Sequence, residues 1–251
     1  MSESSQDNPV IEFIGLPGIG KTTISRYLKE HLLESHNIKA IDAREKGFQL
    51  KSYNKYQKAL VIIKNIFLKD GFWKFSLFYV SILRYGISLR PINKKAISES
   101  LNYWRARYQH IIKQKQLRER GMAIYDQGLY QQIWSIGMHG NKVNHKAFLF
   151  SVSQIAKLDK EKRLIVAVTG CHKEATKRIE ERNRPGASRL ESMPITQIET
   201  ILKIHEKTMN LMVEELKKQY HQYIFVVSGH NEPLDNARLI AKQINEAFLQ
   251  K

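Results

Sequence analysis

Five short runs of β-branched and aliphatic residues punctuate the chain: VIEFIG from Val10, IKAID from Ile38, MAIYD from Met122, LIVAVTG from Leu164 and YIFVVSG from Tyr223. Each is brief and nearly continuous in its apolar character, the pattern of a strand buried on both faces. Stretches of helical period separate them. That alternation predicts an α/β protein in three layers, with a parallel sheet covered on both faces by helices.

The helical stretches differ in clarity. Thr23 to Glu34 follows a glycine loop without a break, and about Leu234 to Leu249 closes the chain with Leu239, Ile240, Ile244 and Phe248 at the spacing of a helix lying on a sheet. Residues 43–121 are too many for a plain loop in a compact domain and predict a helical insertion between the second and third strands. In its second half Ile97, Leu101, Trp104, Tyr108 and Ile111 recur at helical spacing, Arg118 and Arg120 fall in the final turn, and Gly121 is the C-terminal stop. The first half, ALVIIKNIFLKDGFWKFSLFYVSILRYGISLRP, mixes apolar stretches with isolated bases and reads as two helices broken near Gly71. Such a segment either packs against the rest of the insertion or lies in a membrane interface over a lipid-linked substrate. Packing is the favoured expectation, because large apolar faces more often make core.

After the fourth run, HKEATKRIEERNRPGASRLESMP begins as a short helix and breaks at Arg184, Pro185 and Gly186. TQIE, from Thr196 to Glu199, has the form of a capping box opening a long helix. Ile198, Leu202, Met209, Met212 and Leu216 share one face of that helix, with His205 among them as a packing residue.

At 251 residues and 42% hydrophobic content, the chain is long enough for one sizeable core and is expected to form one domain. Its single cysteine, Cys171, excludes an internal disulfide framework and a thiolate zinc cluster. The opening MSESSQDNP has neither the basic start nor the apolar core of a secretory signal, so the cytoplasm is the expected compartment. The greasiest passage, Phe75 to Leu83, is far shorter than the roughly 20 residues of a spanning helix. A formal charge of +17 would attract any polyanion, whether nucleotide, anionic lipid or nucleic acid, without choosing among them.

The choice is narrowed by GLPGIGKTT, where Gly15, Gly20, Lys21 and Thr22 satisfy G-x-x-x-x-G-K-[ST] between a predicted strand and a predicted helix. Glycines let the backbone curl so that several N–H groups face one anion, and the following helix aims its positive end at the same place. Gly15, Pro17, Gly18, Ile19, Gly20, Lys21, Thr22 and Thr23 are the expected binding loop for ATP or GTP. Lys21 would reach the outer phosphates and the Thr22 hydroxyl would ligate Mg²⁺. Asp126, at the end of the third strand, is the carboxylate expected to hold that metal or take the proton of an attacking hydroxyl. Arg178, Arg182, Arg184 and Arg189 surround the Pro-Gly break, as a lid that neutralises a moving phosphoryl group would require. Arg178 and Arg182 share a helical face with Glu174 and suit surface ion pairs, so Arg184 and Arg189, in a lid spanning residues 183–193, are the favoured pair.

The loop, the strand-ending Asp126 and the arginine-bearing lid occur in the order seen in thymidylate kinase and its relatives among the nucleoside and nucleoside monophosphate kinases. The chain resembles that group at its two ends and in its middle, but not over residues 43–121. The resemblance implies a P-loop NTPase fold with a five-stranded parallel sheet, Mg-ATP in the loop, lid arginines over the transferred phosphate, and an adenine pocket after the last strand. Asn231 and Pro233, in SGHNEP, are nearest to that last feature. Thymidylate kinases carry an arginine directly after the aspartate, where this chain has Gln127, which points away from their usual acceptor. DAREKG, from Asp42 to Gly47, is loosely similar to the acceptor-phosphate segment through Arg44. YDQGLYQQIWSIG looks more like thymidylate-kinase-like proteins of which some are associated with surface-glycan biosynthesis. The expectation is therefore an ATP-dependent phosphotransferase acting on a small-molecule, lipid-linked or glycan-linked hydroxyl, with possible peripheral contact with anionic membrane. The alternatives are a nucleoside or nucleoside monophosphate kinase and, in a different class, an ATPase that engages nucleic acid or membrane.

Overall fold

A computed structural model of the chain describes residues 9–42, 71–118, 121–159, 162–182, 190, 193–218 and 222–249. Five parallel strands form one sheet: β1 (Val10–Gly15), β2 (Ala40–Asp42), β3 (Met122–Tyr125), β4 (Arg163–Thr169) and β5 (Gln222–Ser228). Their order in space is β2-β3-β1-β4-β5. Strand β1 is central, pairing Val10 with Ala123 on one side and with Arg163 on the other. All six of its residues are buried, as its apolar run predicts for a strand covered on both faces.

Eight α-helices lie among the described residues: α1 (Lys21–His36), α2 (Phe72–Ser88), α3 (Lys94–Arg118), α4 (Leu129–Gly137), α5 (His145–Leu158), α6 (His172–Arg182), α7 (Ile195–Lys217) and α8 (Pro233–Ile244). One layer pairs α1 with α8 and touches β1, β2 and β5. In the other, α3, α4 and α7 meet β3, β1 and β5, while α2 packs on α3 and α5. The architecture is a three-layer α/β fold with the 71–118 helices inserted between β2 and β3. Residues 43–70, Arg44 included, and residue Arg120 lie outside the described residues, as do Arg184, Arg189 and most of the expected lid.

Several local expectations are corrected. Strand β5 is an edge strand, less covered than the central ones, so Tyr223 and Val226, on opposite faces of the sheet, are exposed rather than buried. In α8, Ile240 and Ile244 enter the core, but Leu239 is exposed. No capping box opens α7. The helix begins two residues earlier, at Ile195, with Pro194 as an N-cap that supplies no side-chain hydrogen bond. Its expected apolar face is buried as a set, and His205 sits edge-on against Trp134, whose indole N–H donates to the His205 carbonyl at 3.2 Å.

Where its side chains are described, which excludes Tyr108 and Ile111, helix α3 is rotated from its expected face by one position. Ala96, Ser100, Tyr103, Arg107 and His110 are buried, whereas Leu101 is exposed and Ile97 and Trp104 are only partly covered. Close approach to α2 sets this rotation: a methyl group on Gly86 would lie 2.1 Å from the Ser100 hydroxyl. Polar anchors then hold it, with the Tyr103 hydroxyl donating to the Leu129 carbonyl at 2.6 Å and Arg107 donating to the Leu158 carbonyl at 3.2 Å over the Phe78 ring. Counting apolar residues alone misses a face built from small and amphipathic side chains.

Candidate active site

The glycine loop joins β1 to α1 at the C-terminal edge of the sheet, where open parallel sheets bind ligands. Gly18 and Gly20 take φ of 85° and 103°, backbone that glycine adopts without strain, and Gly20 is the N-cap of α1. That helix has no side-chain cap and no acidic residue in its first turn. Its own bonds begin only with Thr23 and Ile24 donating to the Gly20 carbonyl. The positive end of the helix is therefore not neutralised by a cap or a first-turn carboxylate, the electrostatic condition for receiving an anion. Ile19 anchors the curl from beneath: its side chain is buried, and methyl groups on Gly170 or Gly229 would collide with it.

Lys21 folds back into this curl. Its ammonium donates to the carbonyls of Gly15 and Leu16, at 2.8 Å each, and the residue is 9% exposed. Burial pulls its pKa from 10.5 down to about 8; the Asp126 charge opposes that fall and Arg182 adds to it. Directly after it, the exposed Thr22 hydroxyl donates to Asp126 Oδ2 at 3.0 Å. Asp126 immediately follows β3 and is 4% exposed. The structure thus brings together three of the residues singled out for chemistry, two of them 104 positions apart in sequence.

A buried polar network fixes the Asp126 turn, and its centre, Glu12, was not anticipated. Glu12 lies in the middle of β1 with no exposure, and its Oε1 accepts the N–H groups of Tyr130 and Gln131 at 2.7 and 3.3 Å, capping α4 from the sheet. Its Oε2 meets Arg163 Nη1 at 3.1 Å, and Arg163 Nε reaches Asp159 at 2.7 Å. Burial pushes the Glu12 carboxyl upward, while Arg163 and the two amides pull it back. The Gln131 side chain accepts the Gly15 N–H at 3.0 Å, tying α4 to the loop. A methyl on Gly128 would lie 2.2 Å from the Glu12 carboxyl carbon, so only glycine admits the carboxylate there. The signal was present in VIEFI, an acid inside an otherwise apolar central strand.

Beside the loop opens a cavity of about 390 Å³, lined among others by Gly20, Thr23, Arg178, Arg182, Asn231 and Pro233. Asn231 and Pro233 thus share a cavity with the glycine loop. Arg178 is more than a surface ion pair. It is paired with Glu174, and it also donates to the Ile19 carbonyl at 3.2 Å and the Gly229 carbonyl at 3.0 Å, joining loop, α6 and the end of β5. Among the described residues, Arg178 and Arg182 are the arginines brought to the loop, while the favoured pair, Arg184 and Arg189, lies outside them.

The sequence matches no protein-family model and no curated protein.

Proposed function

We propose that the chain is a P-loop kinase that transfers the γ-phosphate of ATP to a hydroxyl on a small-molecule, lipid-linked or glycan-linked acceptor. The observation that carries this reading is the Thr22–Asp126 contact, set beside Lys21 at an uncapped helix start. Magnesium beside phosphates is commonly held by one or two protein oxygens together with phosphate and water, and the Thr22 hydroxyl would be such an oxygen, with the Asp126 carboxylate beside it to hold the metal's water. When bound, the metal neutralises charge on the phosphates and orients them.

The residues divide the work. The loop amides and the start of α1 bind the phosphates, Lys21 leaves the Gly15 and Leu16 carbonyls to add its charge, and the cavity by Asn231 and Pro233 receives the base. Arg178 and Arg182 complete the positive surroundings. The acceptor oxygen forms a bond to the γ-phosphorus as the bond to the β,γ-bridging oxygen breaks. Its proton passes to Asp126, and ADP leaves. Gln127 is exposed next to Asp126, and its neutral amide suits an uncharged hydroxyl better than a phosphorylated nucleotide.

The test is titration with Mg-ATP and Mg-GTP, followed by transfer from labelled ATP to a panel of sugars, nucleosides and nucleoside monophosphates. Sugar labelling without nucleotide labelling is the expected result. Asp126→Asn should keep nucleotide binding and lose transfer by about 10²-fold or more. Full turnover in that variant would remove Asp126 from the mechanism.

A further inference from the structure

Helix α2 has two unlike faces. Phe78, Ile82 and Tyr85 are buried in the contact with α3 and α5. Trp73, Leu77, Val80 and Ile87 are exposed, Trp73 at 82%. With 3.6 residues per turn, these four and Arg84 fall within about 80° of arc and run for ~21 Å along the helix. The result is an apolar ridge, interrupted by Arg84, opposite the buried side.

The charges carried by α2, the turn after it and the start of α3, up to Ser98, have one sign. Residues 71–98 contain Lys74, Arg84, Arg90, Lys94 and Lys95, all exposed, and no Asp or Glu. Ile92, in the turn after α2, adds a further exposed apolar side chain among the last of these bases. Among the described residues no helix is long and apolar enough to cross a membrane.

We propose that this face of α2 lies in the interface of an anionic lipid bilayer, with the helix axis parallel to the surface. Trp73, Leu77, Val80 and Ile87 would enter the boundary between headgroups and acyl chains, where Trp is favoured. Lys74, Arg84, Arg90, Lys94 and Lys95 would meet lipid phosphates and carboxylates, Arg84 by extending its stem outward from the ridge. A ridge on one helix is convex and suits a broad, deformable surface, whereas a folded partner requires a matching groove. The uniform basic flank selects an anionic surface. This inference is independent of the kinase reading, although a docked α2 would suit a lipid-linked acceptor.

The experiment is co-sedimentation of the full chain with vesicles of phosphatidylcholine alone or with about 30% phosphatidylserine, with nucleotide binding measured on the same samples. Binding to the anionic vesicles is expected, with tryptophan emission quenched by brominated acyl chains. Trp73→Phe should remove most of that quenching, because Trp134 is buried and Trp104 half-buried. Leu77→Glu with Val80→Glu should lower partitioning on the order of a hundredfold, and Arg84→Gln or Arg90→Gln about fivefold each. Unchanged circular dichroism and thermal midpoint establish that these surface variants fold, and Val80→Leu should bind as the parent does. The proposal is overturned if the parent stays in the supernatant, if the double glutamate variant sediments equally, or if Trp73 is shielded from acrylamide without vesicles. The last result would show the ridge covered by the chain itself or by a second copy. Retained nucleotide binding in any of these cases leaves the kinase reading intact.

Discussion

Raising the pH from about 7 to about 9 should weaken Mg-ATP binding tenfold, through Lys21 alone. In the free protein its pKa stands at about 8. The protonated fraction therefore falls from about nine-tenths to about one-tenth across that interval. Contact with phosphate replaces two neutral carbonyl partners by multiple negative charges and should restore the pKa to its ordinary range or higher. Binding at the alkaline end then takes up nearly one proton, and the affinity lost is about 1.4 kcal/mol. Calorimetry in two buffers of different ionisation heat reads both the affinity and the proton uptake. Lys21→Met should bind weakly at both pH values and lose the slope. A flat affinity profile, or proton release in place of uptake, would refute the reasoning. Folding carries the same linkage: a lysine with a depressed folded pKa binds its proton more readily when unfolded, so its contribution to stability rises between about pH 8 and 10.5.

Two other variants test the supports of the site. Glu12→Ala strips the α4 amides of their acceptor and takes one buried carboxylate from Arg163, and should lower unfolding free energy by about 3–5 kcal/mol in urea titration; a loss under about 1 kcal/mol would show that Glu12 does not anchor this network. Arg178→Ala frees the Ile19 and Gly229 carbonyls and should raise the Kd for ATP by about 10–100-fold with little change in the thermal midpoint, whereas unchanged affinity would assign Arg178 to surface pairing with Glu174.

The fold class was legible because it depends on signals carried by consecutive residues. Short apolar runs and intervening helical periods predict parallel strands with helical crossovers wherever they occur in sequence. The long α7 face was legible for the same reason, since every apolar residue named for it is buried. Where one apolar count could fit two rotations, as in α3, the sequence pointed to the wrong stripe. The deciding contact there is Gly86 against Ser100, between residues of different helices.

The sequence by itself determined the loop that curls on Gly18 and Gly20, the helix that starts on it, and the presence of an acid just after β3, since each is a local property of adjacent residues. Only the tertiary structure decided that Asp126 meets Thr22, that Arg178 reaches the loop carbonyls, and that Glu12 ties β1 to α4 and β4. Hydrogen bonds and charge pairs act over about 3 Å and demand orientation, so their partners are chosen by how strands and helices pack and not by distance along the chain.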